Sequence, residues 1–335
     1  MPQPRARFRL RLLPFIAIYA LAVAAVSLAW LTPLRAAPAM QLVSVAGPWI
    51  YVPLPVLALL ALVRRQRANL LLLAGIALLF LISYGGRFWP KAAPAFVASA
   101  PALRVMSWNV LYDNDDVAAV SAQILAEQPD LVLLQEFGVG LSDGLAAALK
   151  AEYPHQALYP HPKPDGFAVF SRLPFAELHA PLLPGDSCRC QAIALEVGGR
   201  RVTVLNAHPY PPNTHLRSGI PAGITTESQD ASLAALTAAA EREAGPLLLA
   251  GDFNLVDRQP GYGLLRAKLG DAFAEAGSGF GFTYPAQAKL NILPVGPVIR
   301  IDYIFHSAHW AAGAAWTGGT EVSDHRYVVA DLLLR

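Results

Sequence analysis

Residues 1–100 contain no Asp and no Glu. A stretch of that length without a carboxylate cannot make the mixed-charge surface of an ordinary soluble domain. Its apolar residues gather in three stretches, 12–31, 42–63 and 69–86. A membrane-spanning helix needs about 20 apolar residues, within a range of roughly 17–25. The first two stretches reach that length, and the third does so by taking in Gly85 and Gly86. Pro48, Pro53 and Pro55 interrupt the second, which membrane helices tolerate where neighbours satisfy the freed carbonyls. The spacing predicts three transmembrane helices behind a basic N-terminus, residues 1–11. A cleaved signal peptide would explain the first stretch, with the small residues of LRAAPA at 34–39 behind it, but not the two that follow. No His lies in these stretches either, so they read as an anchor rather than a cofactor-binding bundle.

The arginines set an orientation. Arg5, Arg7, Arg9 and Arg11 precede the first stretch, Arg35 alone follows it, Arg64, Arg65 and Arg67 separate the second from the third, and Arg87 and Lys91 come after. The excess of positive charge on cytoplasmic loops predicts a cytoplasmic N-terminus. Three crossings then leave the remainder of the chain periplasmic or extracellular. Residues 87–102 are rich in Pro and Ala and read as a linker. These segments hold 10 of the 26 basic residues, so residues 101–335 carry 16 bases against 24 acids, a formal charge of −8. The total of +2 conceals that asymmetry.

Residues 103–335 read as one α+β domain. LRVMSWNV (103–110) alternates as a strand, and PDLVLLQEF (129–137) is a buried one. GFAVFSRLP (166–174) is a strand stopped by proline. QAIALEVGGRRVTVLNAHP (191–209) is a hairpin about Gly198–Gly199. LLLAGDFNLV (247–256), RIDYIFHS (300–307) and SDHRYVVADLLL (323–334) add three more strands. Helices are expected over 115–127, 142–151 and 226–243. Strands outnumbering helices fit stacked sheets with helices outside. Cys188 and Cys190, as C-R-C, either remain thiols or pair locally across a short, strained loop, and they are too few for a metal site.

Polar residues recur at the strand ends. Asn109 ends one strand, Glu136 another, His208 a third, and Asp252 with Asn254 a fourth. Asp302 lies in the next, and Asp324 and His325 precede the last. Carboxylates and amides of this kind suit Mg²⁺ or Mn²⁺, which take hard oxygen ligands. Each residue alone has a plain structural explanation: a strand end, a cap, or an Asp302 ion pair with Arg300 or Arg326. Together they point to one site. No role is assigned to His155, His161, His179, His306 or His309.

The order W-N-V, Q-E, N-x-H, G-D-F-N, R-x-D-Y and S-D-H resembles the endonuclease/exonuclease/phosphatase superfamily across residues 103–335. The resemblance implies a four-layer α/β/β/α sandwich and a metal-dependent phosphoester hydrolase. It implies that Glu136 is the main metal ligand, with Asn109 beside it and Asp324 as a second carboxylate. It makes Asp252 the group that orients or deprotonates the attacking water, and Asn254 the amide that holds that water or a phosphate oxygen. His325, held by Asp302, and His208 would face the phosphate. Leu111 stands where the abasic-site branch carries an acid, which argues against that activity. The Pro- and Gly-rich segment 209–224 reads as a substrate-side loop, with Arg217 and His215 available to touch phosphate.

Three function classes follow. One is a membrane-tethered phosphodiesterase or phosphatase acting on a lipid headgroup or small phosphoester. The second is an exported nuclease for DNA or RNA. The third is a non-enzymatic membrane protein that keeps only the fold, which the filled motif positions disfavour. Duplex binding rests on Lys and Arg neutralising phosphates, and a domain at −8 with Arg200–Arg201 as its only adjacent basic pair does not invite long DNA. The expected partners are a phosphoester and the lipid bilayer; nothing in the sequence specifies a protein partner.

Overall fold

A computed structural model describes residues 13–89, 91, 100–181, 188–286, 288–290, 293–319 and 322–335. The basic N-terminus and most of the expected linker lie outside these residues. The chain opens with helices α1 (Leu13–Trp30), α2 (Pro38–Val45), α3 (Pro53–Val63) and α4 (Arg67–Tyr84). They expose large apolar side chains such as Leu21, Leu28, Leu71 and Ile82. The expectation of three transmembrane helices is not supported. Among the described residues one helix, Arg67–Arg87, is long and apolar enough to cross a membrane; the second stretch is a pair, Pro38–Val45 and Gly47–Val63, bent by 76°; and the described part of the first, Pro14–Trp30, falls short of that length. The cause of the bend is local. Pro48 and Pro53 each open a new helical segment, because a proline ring carries no N–H to bond the preceding turn.

The remainder builds two six-stranded sheets. In chain order the elements are β1 (Ala102–Asn109), α5 (Val117–Glu127), β2 (Leu131–Gln135), α6 (Ser142–Leu149), β3 (His155–Tyr159), β4 (Phe167–Ser171), β5 (Phe175–His179), β6 (Cys190–Val197) and β7 (Arg200–Ala207). Then come β8 (Asn213–Arg217), β9 (Ile220–Thr225), α7 (Glu227–Arg242), β10 (Leu247–Asp252), α8 (Pro260–Arg266), β11 (Gly270–Asp271) and α9 (Ala272–Ala276). The chain ends with β12 (Ala288–Leu290), β13 (Leu293–Val295), β14 (Asp302–His306), β15 (Trp310–Gly318) and β16 (Tyr327–Leu334). The sheet orders are β15-β16-β1-β2-β4-β3 and β11-β14-β10-β7-β6-β5.

Strand alternation places the layers. Leu103 and Val105 of β1 meet Leu248 and Ala250 of β10 in the core between the sheets. The opposite face of the first sheet, with Met106, Trp108, Val132 and Leu134, packs on α5 and α6 through Val120, Ile124 and Leu145. The opposite face of the second, with Leu247 and Leu249, packs on α7 and α8 through Leu233, Leu236 and Leu265. Two mixed sheets flanked by helices are what period-two strands with both faces apolar require.

The segment expected as a substrate-side loop, 209–224, is instead largely the hairpin β8–β9. It lies against the helices: a Cβ on Gly223 would sit 3.0 Å from the Pro38 Cβ. Other contacts extend this junction. Gln41 donates to Thr226 Oγ1 at 3.3 Å and accepts from Gln259 Nε2 at 3.1 Å. Trp49 Nε1 donates to the Val298 carbonyl at 2.8 Å, Arg87 pairs with Asp257, and Arg258 lies over the rings of Trp30 and Tyr84, at 5.0 and 4.8 Å.

Beneath this junction Arg300 is buried and bonds both oxygens of Asp271, at 3.2 and 2.8 Å. Burial opposes charge on Asp271, yet Arg300 and the Ala274 amide hold its carboxyl below the usual range. Removing one partner of a buried pair leaves the other uncompensated, at a cost of about 3–5 kcal/mol. Arg300→Ala is therefore expected to lower unfolding stability by that amount in denaturant titration. A loss below about 1 kcal/mol, the range of an exposed pair, would contradict the pairing.

Candidate active site

The polar residues meet because of strand direction. β1 runs parallel to β2, and β7 parallel to β10, so their C-terminal ends share one edge. That brings Asn109, Glu136, His208 and Asp252 together. β14 is antiparallel to β10, with Asp302 opposite Asp252 in register, and β16 is antiparallel to β1. Their starts therefore lie at the same edge and deliver Asp302, Asp324 and His325. Alternation does the rest, since Asp252 follows Leu248 and Ala250 onto the inter-sheet face of β10.

Asn109 Nδ2 donates to Glu136 Oε1 at 3.0 Å and to Asp252 Oδ2 at 3.1 Å. Its Oδ1 accepts from the Leu111 amide at 3.1 Å, so Asn109 reaches the carboxylates as a donor. His208 Nε2 lies 3.6 Å from Asp252 Oδ2 and 3.8 Å from Glu136 Oε1. His325 Nδ1 bonds Asp302 Oδ2 at 3.0 Å, and its Nε2 lies 3.7 Å from Asp252 Oδ2. Arg300 is spent on Asp271, so Asp302 takes His325 as its partner. Asn254, at φ +54°, bridges two loops: its amide N–H donates to Asp252 Oδ1 at 2.9 Å and its Nδ2 to the Pro209 carbonyl at 3.2 Å. Glu136 also has positive φ, +52°, a conformation an L-residue adopts at a cost of about 1–3 kcal/mol.

Burial separates the two imidazoles. It opposes charge on His325, but the Asp302 and Asp252 carboxylates outweigh it and push the pKa up to about 10. Burial, with the charges of Arg189 and His325 beside it, holds the His208 pKa down to about 3. It is neutral, so its approaches to Glu136 and Asp252 are not ion pairs. Burial pushes the Asp252 carboxyl up to about 7 against the pull of His325. Burial also raises Glu136, with Asn109 and His325 acting against it.

Groups outside the expected set hold this edge. Gly251 passes so close to β7 that a Cβ would lie 1.8 Å from the Ala207 carbonyl oxygen, so only glycine fits at the G of G-D-F-N. Ser323 Oγ donates to the Asn109 carbonyl at 2.7 Å and accepts from the His325 amide at 3.1 Å. Gln135 Nε2 donates across the sheets to Asn206 Oδ1 at 2.7 Å, and Asn206 Nδ2 returns to the Leu134 carbonyl at 3.0 Å. Asn206→Ala would remove the shortest bond of the buried Gln135 amide, which keeps Ser107 Oγ and the Leu133 carbonyl, and the side-chain donor to the Leu134 and Ala168 carbonyls, and a loss of about 1–3 kcal/mol is expected in thermal or denaturant unfolding. Cys188 and Cys190 form a disulfide. Arg189 between them donates from Nε to the His208 carbonyl at 2.8 Å and pairs with Asp165 at 2.8 Å. The loop thereby clamps His208. Arg217 is not brought in: it sits exposed at the tip of the β8–β9 hairpin, and its neighbour His215 bonds Thr225 across that hairpin at 2.9 Å.

The donors fit a divalent cation. Glu136 is bonded by an amide side chain and, at 3.4 Å, by the Tyr112 N–H. Among the described residues no Lys or Arg pairs with Glu136 or Asp252, and Asp324 Oδ1 is enclosed without a hydrogen-bond partner. Desolvated carboxylates short of cationic partners are what a hard cation takes. A different trio, Asp252, Asp302 and His325, brings ligand atoms within 4.8 Å of one another. In this trio the His325 Nδ1 is engaged by Asp302 Oδ2 at 3.0 Å.

Comparison with known proteins agrees with this architecture. The model of the Endonuclease/Exonuclease/phosphatase family matches residues 106–325. An endonuclease/exonuclease/phosphatase from Bacteroides vulgatus superposes with a TM-score of 0.52 at 20% identity, over 70% of this chain and 99% of that one. Truncated TDP2 from Caenorhabditis elegans gives 0.52 at 19% identity, over 69% and 98%. A family protein from Bacteroides thetaiotaomicron gives 0.53 at 16%, over 71% and 99%. At these identities the structural likeness is one of fold. No curated protein matches significantly. The family match defines a hydrolase of phosphate esters that depends on divalent metal. The chain belongs to the endonuclease/exonuclease/phosphatase family.

Proposed function

We propose that the chain is a membrane-anchored phosphoester hydrolase acting outside the cytoplasm on a lipid headgroup or small phosphoester. The observation that carries this reading is the convergence, on one strand edge, of carboxylates short of cationic partners with Asp252 beside a charged His325. Glu136 and Asp324, with Asn109 alongside, would hold Mg²⁺ or Mn²⁺, which neutralises charge on the non-bridging phosphate oxygens when bound.

The chain's own groups do the remainder. Asp252 takes the proton of the attacking water. The Asn254 amide and Asn109 Nδ2 fix its two oxygens, and a pKa near 7 suits a base at neutral pH. Asn254 Oδ1 orients that water. His325 donates from Nε2 to the phosphate while Asp302 keeps the ring charged and aligned. Neutral His208 donates from the other side, set in place by Arg189. Asp302→Asn removes the main group that raises the His325 pKa. The ring then loses its proton at lower pH, and the alkaline limb of kcat/KM is expected to move down from near 10 by about 1–3 units. An unmoved limb would deny Asp302 that role.

Two features support the membrane placement. Arg258 touches Trp30 at the end of α1 and Tyr84 at the end of α4, so both helices turn their C-terminal ends toward the catalytic sheets. Arg64, Arg65 and Arg67 lie at the opposite end of α4, which favours a cytoplasmic position for that end. The −8 charge of residues 101–335 favours a small or lipid phosphoester over duplex DNA. A reporter fused after Arg335 is expected to be active only outside the cytoplasm; cytoplasmic activity would overturn the topology. With Mg²⁺ or Mn²⁺, the full chain is expected to turn over a soluble bis-aryl phosphodiester or an aryl monoester, and inertness toward both would count against the hydrolytic assignment.

A further inference from the structure

An apolar groove of about 230 Å³ lies where the helices meet the catalytic sheets. Trp49, Tyr51, Val52 and Phe80 line it from the helical side, and Phe280 and Phe282 from the segment that leads to β14. Its walls are built. Trp49 is held by its bond to the Val298 carbonyl and stacks on Phe282, ring centroids 5.6 Å apart. Phe280 and Phe282 stack at 4.9 Å. The outer wall is open, with Val52 60% and Trp49 42% exposed. It is continuous with the apolar surface of the helices.

The inner wall leads to the reaction centre. The Thr283 and Tyr284 N–H groups both donate to the Ile299 carbonyl, at 2.8 and 3.0 Å, and Phe282 directly precedes this pair. Tyr284 packs on His325 at 4.7 Å between ring centroids. Phe282 and Tyr284 are two residues apart, at most about 7 Å along the backbone, within the step from a phosphate to the first atoms of its lipid chain. A volume of 230 Å³ is below the roughly 300–1,000 Å³ of sites that enclose a whole small molecule. It suits one hydrocarbon chain.

We propose that this groove binds the acyl or alkyl chain of the substrate, so that the enzyme acts on an amphiphilic phosphoester whose phosphate lies at His325 and whose chain runs past Phe282 toward the bilayer. The inference rests on the phosphoester-hydrolase reading and narrows it to lipids.

The test uses the full chain in lipid nanodiscs with Mn²⁺ and a series of alkyl aryl phosphodiesters: ethyl, hexyl and decyl. In the native protein kcat/KM is expected to rise with chain length, by up to about fourfold per buried methylene. Val52→Trp, which fills the groove, is expected to flatten that rise. An equal rise in the variant would mean partition into the bilayer alone, or a structural lipid in the groove, and would overturn the proposal. A second readout needs no turnover. Decyl phosphate is expected to alter the fluorescence contributed by Trp49, taken as the difference between native protein and Trp49→Phe, and ethyl phosphate is not. No difference between them overturns the proposal. If the groove binds decyl phosphate but no ester is hydrolysed, the chain subsite stands as a binding site and the hydrolase reading fails.

Discussion

Glu136→Gln in the full chain is expected to abolish metal-dependent turnover, a loss of at least about a thousandfold, since a bound metal contributes several kcal/mol of transition-state stabilisation. Gln keeps the volume and the bond from Asn109 while removing the charge. Folding should not suffer. Burial raises the Glu136 pKa, so the folded state favours the protonated form and the ionised carboxylate is a liability at neutral pH without metal. The variant is therefore expected to melt at or above the native temperature in chelator. What it should lose is the rise in Tm on adding Mn²⁺, because a ligand stabilises the state that binds it. Turnover retained with metal would remove Glu136 from the metal site.

Asp252→Asn is expected to lower kcat by about 10²–10⁴, the range for a positioned base, and to keep the Mn²⁺-dependent rise in Tm. That contrast separates the residue that handles water from the one that holds metal. The sign of the stability change follows from the same burial. With its carboxyl raised from 3.8 to about 7, Asp252 destabilises the fold progressively as pH rises across that interval. The Asn variant is expected to be more stable than the native chain above pH 7, and equal to it below about 4. A native pH–rate profile without an acid limb, unchanged in shape by the substitution, would argue against Asp252 as the base.

Much of this site was legible in the sequence because a strand has a period of two and an end. Leu248 and Ala250 announce a buried face, and Asp252 follows them in phase. His208, Glu136 and Asn109 are strand ends of the same kind. Elements held by tertiary contact were not legible. The strand β15 reads WAAGAAWTG, with weak strand propensity and a register shift at Ala312/Ala314, and pairing to β16 alone defines it. The short strands β3 and β5 sit at sheet edges, where few residues need be apolar. The bend of the second apolar stretch was signalled by its prolines but hidden by their tolerance in membrane helices. Arg217 looked available for phosphate because hairpin packing against α2 cannot be read from composition. Gln135 and Asn206 stood inside the quoted motifs without a role; two amides bonding across sheets leave no local pattern. In C-R-C the pattern signals the cysteines, while the role of the Arg189 guanidinium they bracket depends on its tertiary bond to the His208 carbonyl.

The most direct measurement places the full chain in nanodiscs with Mg²⁺ or Mn²⁺ and offers it phospholipid vesicles and plasmid DNA in parallel, with Asp252→Asn beside it. The expected result is release of headgroup or phosphate from lipid, lost in the variant, with the plasmid intact. Nicking of the plasmid, lost in the variant, with lipid untouched would contradict the lipid assignment and make the enzyme an exported nuclease.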